Sequence, residues 1–168
     1  MNHTFRQATV NDTETIRQLA EQTWWPTYSS IISDEQIRFM LAEIYATDKI
    51  SQQIATNEQT FLILEEVDEP VAFAGFSPRA EDPEIYKLHK LYCLPKTQGK
   101  GYGKILINAV VDEVKKAGKH ILDLNVNRHN KALSFYQKMG FEVAYEEDIA
   151  IGPYWMNDYV MRLTVGSL

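Results

Sequence analysis

The chain has almost no cysteine. Among its 168 residues only Cys93 carries a thiol, so an internal disulfide is excluded. Histidine is nearly as scarce, at positions 3, 89, 120 and 129, a scatter that fits no metal-site spacing, and no metal is expected. No stretch approaches the roughly 18 consecutive apolar residues that a membrane span needs. Residues 1–6 lack the apolar segment of a signal peptide. A soluble cytoplasmic protein, with no membrane partner, is the expectation. Excess positive charge is missing too: 17 Lys and Arg face 23 Asp and Glu, a net charge of −6. Nucleic acid is therefore not an expected partner, because displacing counterions from phosphate takes a basic surface.

What the chain does have is core-forming material. With 45% hydrophobic and 11% aromatic residues it exceeds what a disordered chain carries. Its length suits one domain over residues 1–168, burying roughly 70% of its unfolded surface. The charge is unevenly spread. Residues 85–120 hold eight lysines (87, 90, 96, 100, 104, 115, 116, 119) against Asp112 and Glu113, a local +6 that leaves −12 for the rest of a chain totalling −6. Such a segment either solvates a helix face and a loop or meets a small anionic ligand.

Hydrophobic periodicity alternates between strand and helix patterns, with no repeat and no linker, and this places the chain in the mixed α/β (α+β) class. Residues 5–8 read as a strand. Asn11, Asp12 and Thr13 cap a helix with Ile16, Leu19 and Ala20 on one face, and Ser33 caps a second with Ile37, Met40, Leu41 and Ile44. A third helix is expected around residues 50–54. Between the first two, Trp24, Trp25, Pro26, Thr27 and Tyr28 read as a connection broken by proline. Residues 60–67 and 71–76 form a hairpin whose register Pro70 disturbs. A strand over 85–94 follows, then a glycine-rich turn and a helix ending at Gly118. A short strand over 121–126, a helix closed by Gly140, and strands over 141–151 and 154–163 complete the pattern.

A glycine-rich turn between a strand and a helix presents unpaired N–H groups and a helix N-terminus to an anion. Here it reads Gln98-Gly99-Lys100-Gly101-Tyr102-Gly103. A P-loop is excluded, since Gly103-Lys104 is followed by Ile105 and the first glycine position holds Gln98. A dinucleotide fingerprint is excluded as well, because its sixth position is Lys104 or Leu106; Asp123, at about the distance of its ribose acid, then loses that role.

The remaining pattern, Gln98-x-x-Gly101-x-Gly103, resembles the acyl-CoA pyrophosphate loop of the GCN5-related N-acetyltransferase (GNAT) superfamily. The flanks strengthen it. Leu91-Tyr92-Cys93-Leu94-Pro95 looks like the family's splayed strand and its exit, and Asn130-x-Ala132-Leu133-x-Phe135-Tyr136-x-x-x-Gly140-Phe141 looks like its second signature. The resemblance implies a GNAT fold, with a central mixed, mostly antiparallel sheet of about seven strands splayed between the fourth and fifth, and helices on both faces. It implies acetyl-CoA as co-substrate and a small-molecule amine as acceptor. Residues 22–28, followed by an acidic helix, are similar to bacterial polyamine N-acetyltransferases. A peptide acceptor, a CoA-binding module without transfer, and a homodimer stay open.

Residue by residue, the resemblance puts the donor pyrophosphate on the backbone of Gln98, Gly99, Lys100, Gly101, Tyr102, Gly103 and Lys104, with the two lysines adding charge. The donor's amide arm pairs with the strand of Leu91, Tyr92 and Cys93, an N–H near Cys93 faces the thioester oxygen, and Asn130 contacts the donor. Tyr136 resembles the family's general acid; a phenol of pKa about 10 protonates a thiolate of conjugate pKa about 8.5 only slightly uphill. An ammonium of pKa near 10 must first lose a proton, for which His89, or Glu84, is the candidate base through water. Trp24, Trp25 and Tyr28, by cation–π contact, and Asp158 are the candidate acceptor-binding residues. A strand cysteine such as Cys93 is ordinarily inert, in keeping with direct transfer.

Overall fold

Seven strands lie in the order β1-β2-β3-β4-β5-β7-β6 in the computed structural model, which describes residues 2–166. Contacts group the chain into two units: the residues up to Ser77 with Lys90–Ile107, and Pro78–His89 with the residues from Asn108 onward. Both strand β4 (Ile85–Cys93) and helix α4 (Tyr102–Lys116) change unit partway along.

The first unit holds β1 (His3–Gln7), β2 (Thr60–Glu66) and β3 (Glu69–Pro78), paired antiparallel in sequence. Val67 and Asp68, at φ 50° and 64°, make the tight turn of the hairpin; two left-handed residues match the twist of the strands they join. The disturbance expected of Pro70 is real. Register passes from Leu64 opposite Ala72 to Glu65 opposite Pro70, a bulge at the point where proline has no N–H to give the ladder. Helices α1 (Thr13–Tyr28), α2 (Asp34–Ile44) and α3 (Thr47–Ala55) bring Ile16, Ile37, Met40 and Ile50 to zero exposure. Each such side chain contributes roughly 1.5–3 kcal/mol. Ser33 caps α2 as its sequence indicates, its hydroxyl accepting from Gln36 N at 3.1 Å.

One expectation fails here. Residues 24–28 are no connection: α1 runs through Pro26, and the Ser29 N–H still donates to the Trp25 carbonyl at 3.0 Å. Proline costs a helix interior about 3 kcal/mol, less near an end. Trp24 and Tyr28, one turn apart and buried to 3% and 6% exposure, offset that cost by placing two aromatic rings in the core.

The second unit holds β5 (Ile121–Asn127), α5 (Ala132–Lys138), β6 (Glu142–Ile151) and β7 (Tyr154–Thr164). β7 pairs antiparallel with both β5 and β6. β4 pairs parallel with β5, but only from Ile85 opposite Ile121 to Leu88 opposite Leu124, and the ladder stops there. The sheet is thus mixed, seven-stranded and mostly antiparallel, with its parallel step between the fourth and fifth strands.

Candidate active site

In the first unit the chain leaves β4 through one 3-10 turn, Pro95–Thr97, and reaches two left-handed residues, Gly99 at φ 87° and Gly101 at φ 79°. A side chain at either would meet nothing within 4 Å, so backbone angle rather than crowding calls for glycine. The N–H of Lys100 is taken by the Thr97 carbonyl at 3.1 Å. Those of Gly101, Tyr102, Gly103 and Lys104 open α4, where a helix offers its first N–H groups no internal acceptor, and among the described residues no loop carbonyl takes them. This is a cradle for an anion.

Two side chains of the loop are already engaged. Lys100 Nζ donates to Glu66 Oε2 at 2.7 Å, and the buried Tyr102 hydroxyl donates to the same oxygen. Lys100 first, and Tyr102 second, hold the Glu66 carboxyl below its usual range. Lys104 is exposed and makes no ion pair among the described residues; Gln98 is exposed, with its N–H on the Pro95 carbonyl at 3.1 Å.

Of the strand residues assigned to the donor, Leu91, Tyr92 and Cys93 are half-buried. Burial pushes the Cys93 thiol up to about 11, which makes it a poor nucleophile at neutral pH. Tyr92 shares a hydrogen bond with Tyr28, oxygen to oxygen 2.9 Å, and its ring lies 6.0 Å from Trp24 and 5.8 Å from Phe73. Trp24, Tyr28 and Tyr92 therefore form one cluster, with Trp24 Nε1 donating to the Tyr45 hydroxyl at 3.2 Å. Trp25 is not in it: its Nε1 donates to Glu21 at 3.2 Å and Arg38 lies over its ring at 5.7 Å. Sequence reasoning missed Lys90, 6% exposed, whose ammonium donates to Gln59 Oε1 at 3.0 Å and lies 5.2 Å from the Phe61 ring centre. Strand alternation from Leu88 to Tyr92 was the available signal, since it puts Lys90 on their side.

In the second unit, Tyr136 is 8% exposed, with the rings of Phe135 and Phe141 at 5.4 and 5.9 Å. Asn130 Oδ1 accepts from Ala132 N at 2.9 Å, so this side chain also starts α5. His89 is exposed on β4, and Glu84 is held by Lys119 at 2.8 Å. Asp158, 7% exposed, accepts from Asn125 Nδ2 at 3.2 Å, and the same amide donates to Glu147 Oε1 at 2.8 Å. Burial raises the Asp158 carboxyl above the ordinary range, opposed by Asn125 and Lys87; burial and Arg79 lower the Lys87 ammonium. Asn125 Oδ1 is buried and finds no hydrogen-bond partner among the described residues.

Asp123, fully buried, belongs to a different arrangement. Arg162 Nε and Nη2 donate to it at 2.7 and 2.9 Å, and Arg79 Nη2 at 3.0 Å. Burial alone would raise its carboxyl, yet the two guanidiniums bring it below the usual range. Among the described residues no group of three His, Cys, Asp or Glu side chains could hold a metal, and no helix is long and apolar enough to cross a membrane.

Comparison with known proteins accords with this geometry. Spermidine N(1)-acetyltransferase of Thermoplasma acidophilum is 31% identical over 149 residues, 85% of this chain and 90% of that protein. An uncharacterized N-acetyltransferase of Methanocaldococcus jannaschii is 33% identical over 91 residues, and there the chain spans only 40% of the relative's length. The crystal structure of PaiA N-acetyltransferase from T. acidophilum in complex with coenzyme A superposes with TM-score 0.84 at 28% identity, covering 98% of this chain and 99% of that one. The family model described as "Acetyltransferase (GNAT) domain" matches residues 28–161. With four-fifths of its length inside that match and the parallel β4–β5 step in place, this chain belongs to the GNAT acetyltransferase family.

Proposed function

We propose that this protein transfers the acetyl group of acetyl-CoA directly to the primary amine of a small cationic acceptor, a polyamine first among them. Residues 1–168 act as one acetyltransferase domain in this reading, and the protein works in the cytoplasm. The observation that carries the choice of acceptor is the carboxylate pair on β6 and β7: Asp158 and Glu147, tied by one Asn125 amide, with Asp158 making no ion pair among the described residues. Lys87 and Arg128 act on the Asp158 carboxylate only through space, the Arg128 guanidinium donating to the Asp158 backbone carbonyl at 3.1 Å, and a buried carboxylate with no cation in direct contact leaves room for one. The relationship to a spermidine acetyltransferase over 85% of the chain supports the same class.

On the donor side, the free N–H groups at the start of α4 suit the pyrophosphate of acetyl-CoA, with Lys104 and Lys100 adding charge. Leu91, Tyr92 and Cys93 offer strand backbone to its amide arm, and Asn130 a further polar contact. A neutral amine forms the new C–N bond as the C–S bond breaks. Its proton leaves by water to His89, and the thiolate takes one from Tyr136. The raised Cys93 thiol favours direct transfer over an acetyl-cysteine. Trp24 and Tyr28, buried as they are, back Tyr92 rather than touch the acceptor, and the half-buried Trp25 already carries the Arg38 guanidinium over its ring, so an acceptor ammonium would compete with it there.

The test is thiol release from acetyl-CoA with spermidine, spermine, amino acids and peptides. Polyamine turnover should dominate, with a kcat/KM that falls as salt rises, since charge steering is screened within about 10 Å at 0.1 M. Release with peptides and not with polyamines would replace this acceptor, and no release with any amine would leave a CoA-binding module.

A further inference from the structure

The end of the β2–β3 hairpin holds the segment from the exit of β4 to the start of α4 at three separate places, the last of them on the glycine loop itself. The Leu94 N–H donates to the Val71 carbonyl at 2.8 Å, Lys96 Nζ pairs with Glu69 at 2.7 Å, and Glu66 Oε2 accepts from both Lys100 Nζ, at 2.7 Å, and the Tyr102 hydroxyl. Lys96 and Glu69 are each more than half exposed, so that pair is a weak tie. Glu66 is different. Its side chain is 21% exposed, and it sits within the ladder, opposite His3 of β1 and Glu69 of β3, so its backbone is fixed. Its two donors flank Gly101, the left-handed residue that turns the loop into α4, and Tyr102 is the first residue of that helix, 1% exposed and tilted against the His3 ring with ring centres 5.3 Å apart.

We infer that Glu66 is a positioning residue for the donor: by holding Lys100 and Tyr102 on either side of Gly101 it fixes the N–H groups of the α4 N-terminus in the arrangement that binds the pyrophosphate. This rests on the proposal that the loop holds acetyl-CoA. Two left-handed glycines in three residues make an otherwise floppy turn, and an unbound flexible loop must be ordered when the ligand arrives. Glu66 orders it beforehand. The inference runs against simple electrostatics, which gives it a sharp test. A carboxylate beside an anion site repels the anion, so charge alone predicts that neutralising Glu66 tightens CoA binding. Prior ordering predicts that binding weakens.

The experiment measures CoA affinity by calorimetry, and KM and kcat for acetyl-CoA, in wild type and in Glu66→Gln, Tyr102→Phe, the double variant and Gly101→Val, with melting curves to confirm folding. Glu66→Gln should weaken CoA binding and raise KM by about tenfold, the value of one charge-assisted hydrogen bond, with kcat changed less than twofold. Tyr102→Phe, which keeps the ring, should weaken binding by a smaller factor in the wild type and by almost nothing in the Glu66→Gln background, because the two act through one oxygen. It also carries the test should Glu66→Gln fail to fold. Unchanged or tighter CoA binding in folded Glu66→Gln, with binding lost in Gly101→Val, overturns the inference alone. Wild-type CoA affinity in folded Gly101→Val overturns the donor-loop reading, and this inference with it.

Discussion

Replacing Asp158 by Asn removes a charge while keeping shape and most hydrogen bonding, and it tests the proposed acceptor contact. In the wild type the carboxylate is 7% exposed, accepts one hydrogen bond from Asn125 at 3.2 Å and has Lys87, Glu147 and Arg128 as its charged neighbours. An ammonium about 4 Å from such a carboxylate gains roughly 4 kcal/mol at an effective dielectric constant near 20. Desolvation of the incoming cation and the residual fields of Lys87 and Arg128 offset part of that. About 2.7 kcal/mol survives in the transition state, a loss of about 100-fold in kcat/KM for spermidine when the charge is removed. The affinity for acetyl-CoA should hold. A pH series adds an independent arm. Because burial lifts the Asp158 carboxyl above the ordinary value, it takes up a proton at higher pH than an exposed Asp, and wild-type kcat/KM should fall on the acid side as it does so. The Asn variant should lack that step and keep the rise with pH that belongs to the amine. Steady-state thiol release at saturating acetyl-CoA measures both. A folded Asn variant within threefold of wild type, or one with the same acid limb, would refute the assignment.

Tyr136→Phe keeps the ring between Phe135 and Phe141 and should lower kcat by 10²–10⁴ with donor affinity unchanged, as loss of a general acid does; near-normal turnover would make Tyr136 a packing residue. Lys104→Ala should weaken CoA binding severalfold at low salt and much less at high salt, since this lysine is exposed and makes no ion pair among the described residues. Asp123→Ala leaves Arg79 and Arg162 without their buried carboxylate and should cost about 3–5 kcal/mol, a melting drop of roughly 6–20 °C. Its folded pKa is depressed, so the wild-type contribution is complete above the unfolded value of 3.8 and vanishes as pH falls through the folded one; urea melts of both proteins should converge there.

Features that depend on neighbours in the chain were legible in advance, and those that depend on register were not. The Ser33 cap, the glycine turn and the α5 signature each arise within a few residues, where side-chain type and backbone angle suffice. Pro26 misled because its local cost was visible and the burial that offsets it was not: Trp24 meets Tyr45 and Tyr92 only once three elements pack. Tyr28 and Tyr92 are 64 positions apart, Glu66 and Tyr102 36, and no local pattern links them. Glu66 reads in sequence as one more acid at a hairpin end. Lys90 did leave a signal in the alternation of β4, which a count of lysines as surface charge passes over.

The two buried aspartates of β5 and β7 show why burial alone does not mark a site. Asp123 lies opposite Arg162 and Asp158 opposite Asn127 in the same antiparallel ladder, four rungs apart and on one face. Register gives the first a guanidinium directly across and a second from Arg79, so its charge is matched within the fold and its carboxyl is depressed. It gives the second Asn127 across, whose amide is spent on Met156 and His129, and one hydrogen bond from Asn125; Lys87 and Arg128 act on it only through space, and burial leaves its carboxyl raised. A buried carboxylate without a direct ion pair costs the fold stability, and in the proposed reaction a mobile cation would supply that contact during turnover. The same logic predicts that a polyamine, which free CoA cannot acetylate, raises the melting temperature of the wild type in the presence of CoA and does nothing for Asp158→Asn, while both proteins respond alike to CoA alone. Equal stabilisation of the two by spermidine would mean that Asp158 is balanced from within the fold, and the acceptor would have to be sought elsewhere.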